Sequence, residues 1–598
     1  MSNKKVPINY AARDFQSIKN DLVVLAKKYY PNNFKDFSES GFGSMVMDNV
    51  AYIGDILSFY LDYQANESFL ETANEYKNVV KIAKQLGFRL SENPASQGIV
   101  SIYASIPADV NGLQVDSDYL PILKSGTVFG TSVGNNFTLT QDVFFSNPEN
   151  EIVVGEVNEQ TGFPTSYIIK AYGKIISGET KLTTIDVGSY KKFLKIEINL
   201  SNITEILKVE DSSGNRYYEV DYLSQDTIYK PVVNRSDTNK WAPSFLKPFN
   251  VPRRFIVDRD GEKTYLQFGS GYDSTGNISD SIVDPSKTIL KMHGKDYFSD
   301  EEFDPNNIVE SDVFGIVPEN TTLVITARTN QTSNVNAGVD TVNKILSPIY
   351  EFPDLTNINQ SIARSVISSF ECSNEEPIVG DTSNMTIEDL KRYVSNSFSS
   401  QNRAVTKQDY EAMCYKMPST FGSLKRVKAM RDADSFKRNI NLHVISEDQH
   451  GSLVRTNTAI KENLKTWINK NRMINDTIDI LDTDILNFGI DFEIVIEPNY
   501  NQFEALSNAI TEVKDEFSRL RDIGEPLFIT DVYMALKKAE GVLDVTRVDI
   551  ISKYGGLYSD YSYDVINNLS PDGRYVIIPE NSIFEIKFAD VDIKGSII

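Results

Sequence analysis

Residues 44–66 carry more apolar surface than one chain's short helices readily cover. At helical spacing, Val46, Val50, Ile53, Leu57, Tyr60 and Leu61 fall on one face, and Met45, Tyr52, Ile56, Phe59 and Tyr63 on another. The polar residues Ser44, Asp48, Asp55, Ser58, Asp62 and Asn66 are confined to one narrow strip. At about 100° per residue the two stripes cover roughly two-thirds of the circumference, where a surface helix has a single core-facing stripe. The flanking segments offer little to bury them against. A helix is expected from Asp14 to about Lys28, broken at Tyr30-Pro31 because proline disfavours helix in the residue before it. Another is expected over 73–86, where Val79, Val80, Ala83 and Leu86 precede Gly87, a residue suited to a left-handed cap. Two solutions are open: the second stripe packs against the domain that follows, or another chain completes a bundle.

The 598-residue chain is long enough for several cores, since single cores seldom grow beyond about 250–300 residues. Residues 95–353 change to short apolar alternations between turn residues, as at 99–106, 152–157, 193–200 and 323–327, which is a strand pattern. Asp211-Ser212-Ser213-Gly214 and Asp258-Arg259-Asp260-Gly261 separate such runs, and both read as hairpin turns because aspartate and glycine tolerate positive φ. Helical signals return over 357–418, interrupted by a polar stretch, 371–386, that reads as a linker or exposed loop. Thr386 with Asp389 and Thr406 with Asp409 have capping-box spacing. Further on, Phe503, Leu506, Ile510, Val513, Phe517 and Leu520 share one helical face, which Gly524 and Pro526 terminate. The tail after Gly573 is expected to add hairpin strands at 575–578 and 584–588.

The expected fold class is therefore multidomain α+β. It has an N-terminal helical bundle segment at 1–95, a β-rich central region of two subdomains at 96–355 and a helical connector at 356–420. A C-terminal α+β interaction domain at 421–598 completes it, with helices over one face of a largely antiparallel sheet.

Several separated segments resemble the baseplate J-like family of contractile-tail wedge proteins. Near the N-terminus these are Glu39-Ser40-Gly41 through Asp48-Asn49, Tyr60-Leu61-Asp62, Glu67-Ser68-Phe69-Leu70-Glu71-Thr72-Ala73 and Leu86-Gly87-Phe88-Arg89. Phe268-Gly269-Ser270-Gly271 is similar to the family's FG-x-G segment. Asn402-Arg403-Ala404-Val405-Thr406-Lys407-Gln408-Asp409-Tyr410-Glu411 is similar to its R-x-V-T-x-x-D-Y-E stretch, and Glu540-Gly541-Val542 to the start of its closing strand. Their order, more than any one of them, carries the resemblance. Size and N-terminal helices look most like the wedge subunits of T4-like phages. The resemblance implies a non-catalytic role in which a second copy of the chain joins it in clasping a wedge partner through the N-terminal helices. It implies C-terminal domains that bind neighbouring wedges and the sheath initiator, closing a ring around the hub that keeps the sheath extended. It also implies a place in the virion, at the tail baseplate, after assembly in the host cytoplasm. The interface residues on that reading are Met45, Val46, Tyr52, Ile53, Ile56, Leu57, Phe59, Tyr60 and Tyr63.

Composition and spacing argue against a reaction centre. With 83 acidic and 60 basic side chains the formal charge is -23, which repels phosphate backbones, so nucleic acid is not an expected partner. No enzyme activity, cofactor, metal or small-molecule substrate is expected. Carboxylate pairs can be drawn almost anywhere in so acidic a chain. The loop with Asp300, Glu301, Glu302, Asp304, Glu310 and Asp312 lacks calcium-loop spacing. His293, His443 and His450 lack the spacing of a zinc helix, and residues 269–276 lack the Gly-Lys-Ser/Thr end of a phosphate loop. Cys372 and Cys414 are too few for a disulfide framework and fit a reducing cytoplasm. With no 18-residue apolar run and no signal-peptide pattern, no membrane association is expected. One basic cluster, Lys425, Arg426, Lys428, Arg431, Lys437 and Arg438, surrounds an expected hairpin. It reads either as charge protecting an edge strand or as a docking patch for an acidic surface such as another copy of the chain. The rival to an assembly subunit is a β-rich tail adhesin or polysaccharide-degrading enzyme, although neither internal repeats nor a trimeric fibre pattern is visible.

Overall fold

The periodic N-terminal segments form α1 (Phe15–Tyr29), α2 (Phe42–Glu67) and α3 (Tyr76–Gln85). The structure is a computed structural model that describes residues 14–29, 41–88, 93–109, 113–160, 162–233, 244–260, 263–271, 314–330, 334–353, 358–383, 385–432, 439–519 and 521–598. The expected break at Tyr30-Pro31, the acidic loop at 300–312, His293, Lys437 and Arg438 lie outside those residues. The chain divides into two compact units, Met1–Leu90 with Asn384–Arg403, and Ser91–Ser383 with Ala404–Ile598.

In the first unit, Asp14 starts α1 by accepting Ser17 N at 3.1 Å, and hydrogen bonds from Ser17 hold its carboxyl below the ordinary range. α3 ends as expected: Gly87 takes φ +80°, and Phe88 N returns to Ala83 O at 2.9 Å with Phe88 buried. A helix from far along the chain, α4 (Ile387–Ser400), packs on α3 and buries Leu390, Tyr393 and Val394. Lys391 Nζ donates to Glu71 O at 3.1 Å, fixing α4 to the α2–α3 corner. The Thr386 hydroxyl caps α4 by accepting Asp389 N at 3.2 Å.

The second unit holds two seven-stranded sheets, one nested within the other in sequence. The first joins Gln97–Pro107, Val128–Thr131, Asn136–Leu139, Glu151–Val154 and Ser166–Ser177 to Val342–Ser347 and Glu371–Ser373. Its two outer strands meet, with Val342 N donating to Asn374 Oδ1 at 2.9 Å, around a core that includes Ile102, Leu123, Phe129, Phe137 and Ile169. Every strand of the second sheet lies between Glu179 and Thr329, so a complete domain is inserted into the first. The first expected turn forms in place, whereas at the second Asp258, Arg259 and Asp260 continue the strand opposite Tyr265, Thr264 and Lys263, and Gly261 lies outside the described residues. Gly214 takes φ +81° while Asp211 Oδ1 accepts Ser213 N and Asn215 N, and Arg254–Asp260 pairs antiparallel with Lys263–Phe268.

The expected linker at 371–386 contributes to the core in part. Glu371–Ser373 pairs with the first sheet, Ile378 and Val379 are fully buried, and Asn374 Nδ2 donates to Gly338 O and Glu376 O. Asn374, Glu376 and Asp381 mislead because they satisfy backbone groups, while Glu371, Glu375, Ser383 and Thr386 do meet water.

Toward the C-terminus, α5 (Lys407–Tyr415) precedes a sheet of Arg426–Arg431, Asn439–Glu447, Leu453–Val454 and Thr477–Asp482, against which α6 (Thr458–Ile468) packs. Strand Asp484–Ile496 then centres a last sheet, over which α7 (Gln502–Ser518) and α8 (Ile529–Lys538) bury Val513, Val532 and Leu536. The tail departs from the expected hairpin. Ser582–Glu585 and Ile593–Ile597 both run parallel beside Asp484–Ile496, each covering one half of its length. On α7 the expected face is kept except at its first turn, where Phe503 is exposed; Leu520 lies outside the described residues.

Candidate functional site

α2 is inverted with respect to an ordinary amphipathic helix. Along its 26 residues, about 39 Å at 1.5 Å per residue, the least exposed positions are Ser44 and Ala51, and the half-buried ones include Asp48, Gly54, Asp55, Ser58 and Asp62. The strip that reads as polar in the sequence is thus the one that faces inward. α1 packs on it: a Cβ added at Gly54 would lie 3.3 Å from Ile18 Cδ1, and Lys19 Nζ meets Asp48 Oδ1 at 2.7 Å.

Both apolar stripes point away. Met45, Val46, Val50, Tyr52, Ile53, Leu57, Phe59, Tyr60, Leu61 and Tyr63 are each 40% to 62% exposed, and only Ile56 of the expected interface set is half-buried. The Phe59 and Tyr63 rings stack at 6.3 Å, with Tyr60 edge-on to Phe59 at 6.1 Å. Completing the burial of ten half-exposed side chains at roughly 1 kcal/mol each would contribute on the order of 10 kcal/mol. That is the size of the freedom lost when two proteins associate, so the face suffices for docking when joined by a few specific contacts.

The helix is held rigidly at its far end. Glu67 accepts Asn74 N at 2.8 Å, Glu75 N at 3.3 Å and Asn78 Nδ2 at 2.9 Å, so one carboxylate caps the start of α3. The Asn78 amide, then the Asn74 and Glu75 backbone N–H groups, hold that carboxyl below its ordinary range. Tyr63 OH donates to Glu75 Oε1 at 2.9 Å, raising the tyrosine pKa.

The basic cluster is largely engaged within the chain. Lys425 Nζ meets Glu447 Oε2 at 2.5 Å, Arg426 is buried with Nε 3.2 Å from Asp522 Oδ1, and Lys428 Nζ donates to Ile523 O at 2.9 Å. Of the four described members that read as a docking patch, Arg431 alone is exposed, at the end of edge strand Arg426–Arg431.

The motif segments elsewhere build the fold. Thr406 and Asp409 form a reciprocal capping box, Tyr410 OH donates to Asp476 Oδ2 at 2.8 Å in the core, and Glu411 Oε1 accepts Ala429 N at 3.0 Å. A Cβ at Gly269 would come within 2.0 Å of Phe314 O, and one at Gly541, where φ is +88°, within 2.4 Å of the Tyr500 ring. Among the described residues, no group of three or more His, Cys, Asp or Glu side chains could hold a metal, and no helix is long and apolar enough to cross a membrane. Cys372 and Cys414 are buried free thiols, and burial pushes the Cys372 thiol up to about 11.

Residues 14–85, the segment containing α1, α2 and α3, match the family described as bacteriophage baseplate protein, N-terminal domain. No curated protein matches the chain. Among solved structures, a chain in the six-fold symmetrised cryo-EM structure of the anti-feeding prophage baseplate aligns at 10% identity over 96% of this chain and 99% of that one, with a TM-score of 0.25.

Proposed function

We propose that this chain is a structural subunit of the baseplate of a contractile phage tail, a wedge component of the baseplate J-like kind. In this reading α2 joins a second copy of the chain and another wedge protein into one helical bundle. The C-terminal domains bind the sheath initiator and neighbouring wedges, and the resulting ring around the hub keeps the sheath extended until contraction. The chain makes and breaks no covalent bonds; its product is an assembly in the virion, put together in the host cytoplasm.

The observation that carries this reading is the inversion of α2 inside the segment similar to the N-terminal domain of bacteriophage baseplate proteins. A helix that turns its small polar strip inward and its leucines and aromatics outward is stable in water only while something else covers it. Leu57 and Phe59 are the best probes, since each is 56% exposed and they belong to different stripes.

In the full chain co-expressed with the neighbouring baseplate proteins, Leu57→Asp with Phe59→Asp leaves a folded, soluble chain. Co-purification falls on the order of 100-fold, because two carboxylates must be desolvated in the bundle. Ring or wedge particles visible by electron microscopy disappear with it. Unchanged co-purification sinks the reading. So does polysaccharide turnover by the isolated chain that one Asp or Glu replacement abolishes, which would favour the tail-enzyme alternative.

A further inference from the structure

The inserted domain carries one element that its core does not use. Strands Thr227–Val233 and Ser244–Asn250 pair only with each other, from Thr227 opposite Asn250 to Val233 opposite Ser244. Val251 N donates to Asp226 O at 2.7 Å, which sets the phase of the ladder. Positions 228/249 and 230/247 are then hydrogen-bonded pairs, and 229/248 and 231/246 are not. Pro231 and Pro248 both fall in non-bonded pairs, where a backbone N–H would point outward, one on each free edge. A third strand meets a missing donor on either side, so growth by strand addition is blocked.

What the ribbon offers is its faces. Lys230 Nζ lies 4.1 Å from the Tyr218 ring centroid and 4.2 Å from that of Phe249, beside the exposed Lys247. No carboxylate partners Lys230 among the described residues. The rings hold the cation in place without neutralising it. Phe249 is 46% exposed on this face and Tyr229 67% exposed on the other. Two strands alone are marginally stable in water at best, and the Tyr218 ring, 5.9 Å from Phe249, steadies only one face of this pair, leaving room for a partner. Charge says which kind: the two strands, 227–233 and 244–250, hold Lys230 and Lys247 and no acidic residue, in a chain whose net charge is -23. Copies of so acidic a chain repel one another except where a local basic surface meets acidic side chains across the gap.

We propose that the ribbon is an intermolecular arm whose Lys230–Lys247 face docks on an acidic surface of a second copy of this chain. The contact is separate from the α2 face and stands or falls without it.

Zero-length carbodiimide coupling joins lysine amines to carboxylates in direct contact, so it can be read on the full chain mixed from unlabelled and heavy-isotope preparations. Mass spectrometry should find Lys230 and Lys247 coupled to Asp or Glu in isotopically mixed pairs. These pairs vanish near 1 M salt, where screening acts over about 3 Å. The Lys19–Asp48 coupling, made within one copy at 2.7 Å, reports that the fold is intact. By sedimentation velocity, Lys230→Glu with Lys247→Glu weakens self-association on the order of tenfold. Lys230→Gln with Lys247→Gln weakens it less, and supplies the comparison if charge reversal disturbs the ribbon. Couplings from both lysines that stay within single copies overturn the proposal, as does self-association unaffected by both double variants. Retention of duplex DNA that the variants lose assigns the arm to nucleic acid and overturns it equally.

Discussion

Asp381 is 9% exposed in the first-sheet domain, where its Oδ2 accepts Val335 N at 3.2 Å and its backbone accepts Asn336 Nδ2 at 2.7 Å. The charged group acting on it is Glu447, also buried, which is itself paired with Lys425 Nζ at 2.5 Å. Desolvation, with the Glu447 charge adding to it, pushes the Asp381 carboxyl up to about 7. An aspartate in an unfolded chain titrates near 4, so between about pH 4 and pH 7 the folded state binds the extra proton. Stability from this site is therefore greatest below that window and is lost as pH rises through it, by an amount on the order of a few kcal/mol. Asp381→Asn keeps the acceptor for Val335 N and removes the titration. Hydrogen exchange at Ala337 and Ile378, whose N–H groups bond each other's carbonyls at 2.9 and 2.8 Å, should speed up from pH 5 to pH 8 in the wild type beyond the intrinsic pH effect, and not in the variant. Equal acceleration in both would remove Asp381 as the cause. None of this is legible in the sequence, because nothing in the polar run around 371–386 distinguishes a solvated carboxylate from one sealed under two segments.

At the scale of elements, periodicity discloses a great deal and stops at one specific point. The two stripes of α2, the cap at Gly87, the Thr406–Asp409 box and the turn at 211–214 follow from local chemistry, and they form where that chemistry puts them. Which face of α2 turns inward does not follow. Hydrophobicity favours burying a stripe, yet the neighbours within its own chain pack on the small residues, where Ala51 is fully buried and Gly54 admits Ile18. Close approach of two helices needs small side chains, and on α2 these lie in the polar strip. Ala51→Leu should therefore strain the α1–α2 contact, at about 1–3 kcal/mol for an overpacked site. Amide exchange in α1 and α2 should accelerate while the sheets keep their protection. An unperturbed variant would mean that α1 does not rest on this strip. The same limit explains α4: the Thr386–Asp389 spacing marks a helix start but says nothing of a partner some three hundred residues earlier.

At the scale of the molecule, the nesting of one β-domain inside another is invisible to any local pattern, since both read as alternating strands with turns. What makes it work is that the chain enters and leaves the inserted domain at one place. Ser177 Oγ donates to Asn330 Oδ1 at 3.0 Å, Gly178 N donates to Asn136 O at 2.9 Å, and Asn330 N donates to Asn202 O at 3.0 Å. Gly178 takes φ +100°, and a Cβ there would lie 2.8 Å from Thr329 O, so the two crossing strands run against each other without a side chain between them. A domain connected through adjacent points can be removed without opening the sheet it leaves, because no strand of the first sheet depends on pairing with it. Joining Ser177 to Asn330 through a short Gly-Ser linker should give a soluble chain whose amides in Gln97–Pro107 and Ser166–Ser177 exchange within roughly tenfold of their rates in the full protein. The contact of Ser419 Oγ with Thr204 O at 3.5 Å is lost, which accounts for modest loosening near 419–421 and no more. Such a chain also lacks the ribbon but keeps α2, so it separates the two proposed contacts: wedge co-purification persists while ribbon-dependent self-association is lost. If the first sheet instead loses protection throughout, the two β-domains fold as a single cooperative body, and the nesting is an interlock in place of an insertion.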